Sequence, residues 1–189
     1  MTILLTGCAS YNANSLTALD PEYVKEYPGL DKLQIGCKAY SVSDCYTYFD
    51  RDIIANGYQP IQLTFENKSS DSYVFSEKWV SLPCADPMDV AKKVHTNTAG
   101  RVIGYSVGGL FLTPLFIPAV VDGVMSHNAN VNLDQDFSSK SIGNLKIAPR
   151  SFMKTVIFVP KKDMAPIFNI TLRNEDTDMD QEISVSVIR

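Results

Sequence analysis

Four cysteines, two histidines and a scatter of carboxylates are the residues whose types and spacing could do chemistry in this chain. Cys8, Cys37, Cys45 and Cys84 offer thiols that can be acylated, bridged or metallated, and each fate needs its own spacing. Structural zinc wants cysteines a few residues apart, or a histidine at a similar interval. There is no C-x-x-C, and His95 and His127 lie far from each other and from any cysteine at ligand spacing. No metal site is expected. A catalytic nucleophile needs a base within reach, yet neither histidine stands in a G-x-S-x-G or similar setting, and Gly104, Gly108 and Gly109 fall inside an apolar run rather than after a strand. The expectation is a protein that is not an enzyme and carries no cofactor.

Side chains with oxygen ligands crowd two places. Glu175, Asp176, Asp178 and Asp180 lie in one loop, and Asn128, Asn130, Asn132, Asp134 and Asp136 alternate further up the chain. A calcium loop needs spaced oxygen ligands around a mid-loop glycine. Neither stretch has that glycine, so both are expected to be solvated.

Cys8 ends the opening run Met1-Thr-Ile-Leu-Leu-Thr-Gly-Cys8. Its last four residues, Leu5-Thr6-Gly7-Cys8, resemble the lipobox of bacterial lipoproteins, in which an aliphatic residue and two small ones precede a cysteine whose thiol receives a diacylglycerol. The resemblance implies that Cys8 is the lipidated residue and that residues 1–7 are the end of a signal peptide cut away before it. A secretory signal has a basic start and an apolar core of about 7 to 15 residues. No Lys or Arg precedes Cys8, so this reading puts the true start upstream. Acyl chains such as palmitate contribute about 0.8 kcal/mol per buried methylene, and two or more anchor stably. The residue after the cysteine, Ala9, is not acidic, which in that family favours the outer membrane, facing the periplasm or the surface.

With Cys8 acylated, three thiols remain and cannot all pair. One bridge with one free thiol, or three reduced buried thiols, both stay open. Residues 9–20 are small and polar with no sustained period, as a tether would be, and 8–30 are expected to form a lipidated terminus and linker.

The elements that must position these residues follow from composition and period. The chain has 189 residues, 45% hydrophobic and 20% charged, with net charge −4, which suits one globular domain with an attached segment and excludes disordered, collagen-like and disulfide-dense classes. Seventeen basic residues face 21 acidic ones without a long basic block, so no nucleic-acid partner is expected. Leu33, Ile35, Cys37 and Ala39 alternate with polar residues, as do Ile61, Leu63 and Phe65 after Pro60, which marks a strand start. Tyr73–Phe75 with Trp79–Leu82 predict one bent or two short strands, and Leu145 with Ile147, Met153–Val159, Ile167–Arg173 and Ile183–Val187 predict four more. The fold class is therefore mainly β: an antiparallel β-sandwich over 31–189, immunoglobulin-like in architecture only, interrupted by an apolar helical insertion over 85–140.

That insertion begins with Asp86-Pro87 as N-cap and first position of a short amphipathic helix. From Val102 to Val121 twenty residues carry no charge, the length of about 20 residues needed to cross a hydrocarbon core of about 30 Å. Gly100, Gly104 and Gly108 would form a stripe without side chains on a helix, which resembles the glycine-zipper segments of bacterial envelope proteins and allows close helix approach. Leu110, Phe111, Leu112, Leu115, Phe116 and Ile117 would supply the apolar contact with lipid, a partner's helix or a second copy. Pro114 and Pro118 bend any helix there. A sandwich cannot be divided by a membrane, so a segment entering lipid must return on the same side; packing on the sandwich is the alternative. The function these features predict is that of a membrane-anchored envelope lipoprotein with a structural or protein-interaction role. The alternative is an exported binding module whose insertion lines a pocket for a hydrophobic ligand.

Overall fold

The computed structural model describes residues 10–27, 30, 32–95 and 116–187, except for the side chains of 116–126. A 3-10 turn at Pro21–Tyr23 leads into β1 (Val24–Glu26) and β2 (Leu33–Ala39), followed by α1 (Val42–Phe49), β3 (Tyr58–Asn67), β4 (Tyr73–Val80) and α2 (Pro87–Lys93). Then come α3 (Phe116–Lys140), β5 (Asn144–Ile147), β6 (Phe152–Pro160), a second 3-10 turn, β7 (Ile167–Asn174) and β8 (Met179–Ser186). The strands form two antiparallel sheets in the orders β1-β2-β3-β6 and β5-β4-β7-β8.

The expected sandwich is what the alternation builds. Leu33, Ile35 and Cys37 on β2 and Ile61, Leu63 and Phe65 on β3 face Phe75, Leu145, Ile147, Ile170 and Leu172 from the second sheet, with the Phe65 and Phe75 rings 5.3 Å apart. Burial of these side chains, at about 25 cal/mol per Å² of apolar surface, is the main drive holding the sheets together. β4 is the one bent strand, its register against β7 shifting between Phe75 and Val80.

β6 is buried on both faces, because a helical layer covers the outer side of the first sheet. Val156 and Phe158 point outward into a second core with Cys45 and Phe49 of α1, Val90 and Ala91 of α2, and Leu133 and Phe137 of α3. The Phe49, Phe137 and Phe158 rings meet at 4.6 to 5.5 Å. In α2, Asp86 caps the helix by accepting from the Met88 N–H, with Pro87 at its first position, as the sequence predicts. The Asn- and Asp-rich stretch after residue 126 is helical: Ala129, Leu133 and Phe137 recur every four residues and turn one face to the core.

Several expectations are corrected. Pro60 lies inside β3, opposite Phe158. Its missing N–H faces the side where β2 has just ended. There Tyr40 N donates to Pro60 O, and the reciprocal bond to Tyr40 O comes from the Gln59 amide at 2.8 Å. The linker expected through residue 30 contributes β1 to the first sheet, pairing Lys25 with Ile35. Helix α1 was hidden by its β-branched and aromatic composition; its start is a capping box in which Ser41 accepts from Asp44 N and Asp44 accepts from Ser41 N. Its end is Asp50, at φ 51°.

Candidate functional site

Cys8, Gly100, Gly104, Gly108, Leu110, Phe111, Leu112 and Leu115 lie outside the described residues. Phe116 and Ile117 begin α3, with only their backbone described. Among the described residues no helix is long and apolar enough to cross a membrane. The 25 residues of α3 extend about 37 Å at 1.5 Å each. Among its described side chains, those that are buried run from Ala129 onward. Cys37, Cys45 and Cys84 are free thiols. Cys37 and Cys45 are fully enclosed and Cys84 is half-buried, and burial pushes each of them up to about 12. Their thiolate forms are suppressed, so they serve as small apolar packing groups.

The chain just after Cys8 is not a free tether. From Ser10 to Leu19 it runs as an irregular strap along the body, held by its backbone. Arg51 donates to the Ser10 carbonyl, Asp50 accepts from Asn12 N at 3.0 Å, and Asn14 N donates to Thr47 O at 2.9 Å. Gln62 donates to Thr17 O, and Lys154 Nζ donates to Leu16 O at 2.5 Å. Among the described residues Leu16 is the first with a buried side chain, and Leu19 packs over Gly36, where a Cβ would stand 3.2 Å from its Cδ1. A small, polar composition hid this docking, since the bonds go to main-chain groups that every residue carries.

At the carboxyl end of α3 the strap meets a polar cluster in which one cation is enclosed. The Lys140 side chain is only 6% exposed, and its Nζ lies 2.5 Å from both Asp136 Oδ2 and the Tyr48 carbonyl. The ring of Phe49 lies beneath it, 5.2 Å from Nζ to centroid. The Tyr11 hydroxyl donates to the same Asp136 oxygen. Burial pulls the Lys140 ammonium below its usual range, while the Asp136 hydrogen bond and charge oppose that fall. The Tyr11 phenol is pushed up, mainly by burial and then by Asp136. A second link joins the helices: His95, at the end of α2, pairs with Asp134 of α3 at 2.7 Å.

Beside this cluster, between the strap and the end of α3 and over the outer face of β6, lies an open cleft of about 370 Å³. Leu16, Ile142, Phe152 and Met153 form its apolar lining, and Asp136, Lys140 and Lys154 its charged one. Phe152 separates it from a neighbouring cleft of about 290 Å³ bordered by Leu19, Pro21, Val24 and Glu66. The apolar run to which the sequence pointed lies outside the described residues; among these, the insertion's contribution to the cleft is its last turns, with Asp136, Ser139 and Lys140. An Asp-to-Lys spacing of four on one helix is the signal that could have found the pair. Among the described residues no group of three His, Cys, Asp or Glu side chains could hold a metal ion. No family model matches the chain, and no curated protein is significantly similar to it.

Proposed function

We propose that the protein is a membrane-anchored lipoprotein of the bacterial envelope, attached through acylated Cys8. Its role is structural or interactive, with the glycine-rich apolar segment touching lipid or a partner's helix. The observation that supports this reading is the run Leu5-Thr6-Gly7-Cys8 in the sequence, just ahead of the described chain. Ser10, the first described residue, is exposed and lies two positions after that cysteine. A lipid-modified cysteine needs that arrangement, because its acyl chains must reach a bilayer while the sandwich stays in water. Metabolic labelling with an alkynyl fatty acid in the natural host, with the wild type and Cys8→Ala side by side, tests it. Label on the wild type and none on the variant is expected. A wild type without label, or a variant that keeps it, overturns the anchor.

A second reading, an exported module that binds a hydrophobic ligand, is favoured by one observation: the apolar-walled cleft between Leu16 and Phe152. A module of this kind holds its ligand in a concave, mostly apolar site with a few polar groups that fix orientation.

A further inference from the structure

We infer that the cleft between the strap and α3 takes a single-chain amphiphile with a carboxylate head, a fatty acid. The inference rests on the binding-module reading and narrows it to a ligand class; it does not require Cys8 to be acylated.

Charge is the first argument. Asp136 is matched by Lys140, which leaves Lys154 as the cleft's surplus cation. Lys154 Nζ makes one hydrogen bond, to Leu16 O, and among the described residues it has no carboxylate within 4.0 Å. An ammonium has three donors, so two remain for a ligand. Lys140, with Asp136 and Tyr48 O as acceptors, keeps one. A single negative charge balances the site, whereas a dianion would confront Asp136 with charge that Lys154 alone does not neutralise.

The walls give the second argument. Phe152 and Lys154 are two apart on β6 and therefore project from the same face. Phe152 remains 43% exposed and Ile142 36%. An alkyl chain lying over Ile142, Phe152 and Leu16 would remove that surface from water. Glu66 of the neighbouring cleft is paired with Lys68 at 3.2 Å, as Asp136 is with Lys140, so the orientation is set by Lys154: the head belongs there and the tail toward Phe152. The volume, about 370 Å³, is near the lower end of ligand sites, about 300 Å³, which suits a single chain and not a two-chain phospholipid.

The test titrates the full chain with decanoate labelled with ¹³C at the carboxyl, below its micelle concentration, and with decanol as the uncharged counterpart. Calorimetry reads affinity, and the carboxyl resonance reads the state of the head. Saturable one-to-one binding is expected, with decanoate at least about tenfold tighter, as befits a hydrogen bond to a charged group. Lys154→Met should erase that preference, Lys154→Arg should keep it, and Phe152→Ser, at an exposed position, should weaken both ligands. Equal binding of decanoate and decanol would overturn the fatty-acid inference while leaving an apolar site. Absence of saturable binding by either would overturn both it and the binding-module reading. A decanoate preference that survives Lys154→Met, or affinities indifferent to Phe152→Ser, would remove this cleft as the location.

Discussion

Removing either member of the Asp136–Lys140 pair should destabilise the protein, but by unequal amounts. Asp136→Ala leaves an ammonium that is 6% exposed with only the Tyr48 carbonyl and the Phe49 ring for company. An uncompensated buried charge costs about 3 to 5 kcal/mol. Lys140→Met removes the cation and keeps most of its stem. The carboxylate it abandons is 23% exposed, can be hydrated, and still accepts from Tyr11. The loss is then about 1 to 2 kcal/mol, because part of the broken charge-assisted bonding is offset by no longer burying an ammonium. The double variant leaves no buried charge unpaired, although the Tyr11 hydroxyl and the Tyr48 carbonyl lose these partners, and it should be more stable than Asp136→Ala by about 1 to 3 kcal/mol. Urea unfolding followed by far-UV circular dichroism gives the three values, read at constant m. The variants also differ in pH response. Burial already holds Lys140 below the ordinary lysine value of 10.5. Between the two values the unfolded chain binds more protons than the native one, so stability rises with pH across that window. Without Asp136 the folded value falls further, and the rise should start at lower pH and be larger. The reasoning fails if Lys140→Met is as damaging as Asp136→Ala, or if the double variant shows the sum of the two losses.

Two further outcomes are expected. Gly36→Ala would put a Cβ 2.2 Å from Thr64 Oγ1, so Thr64 must shift, and 3.2 Å from Leu19 Cδ1 and 3.3 Å from Val24 Cγ2, so the strap and β1 must give slightly. A loss of about 1 to 3 kcal/mol should follow, and Thr64→Ala added to it should cost less than the separate losses together, as judged from urea midpoints; strict additivity would show that the two positions do not meet. Thiols held up to about 12 are ionised to about one part in ten thousand at pH 8. Cys37 and Cys45 should therefore resist a disulfide reagent such as DTNB until urea unfolds the chain, and rapid labelling of either in the native protein would contradict their enclosure.

The sandwich was legible because each half-buried strand carries its own period of two: Leu33-x-Ile35-x-Cys37 and Ile61-x-Leu63-x-Phe65 reveal their inner face without knowledge of their partners. Asp86-Pro87 was legible for the same reason, since a cap acts within a few residues. What escaped depends on distant partners. Val42–Phe49 looks unhelical by composition, and its aromatic residues are tolerated because Phe49 packs on Phe137 and Phe158. The strap's docking on Arg51, Thr47 and Lys154 engages main-chain atoms, which sequence does not distinguish. For the same reason Lys140 reads as one more helical lysine until Tyr48, Phe49 and Asp136 close round it, and Phe152 and Lys154 become cleft walls only once Leu16 lies opposite.

With Cys8 acylated as proposed, the strap would fix how far from a bilayer the body could ride. Arg51 grips the carbonyl of Ser10, and extended backbone spans at most about 3.6 Å per residue. A thiol at position 8, once sunk in lipid, would hold Ser10, whose carbonyl Arg51 grips, within about 7 Å of the lipidated residue. Crossing a wider aqueous gap means peeling the chain away from Arg51, Thr47 and Lys154 in turn, so the height at which this domain floats would be governed by a row of hydrogen bonds and not by the length of a slack cord.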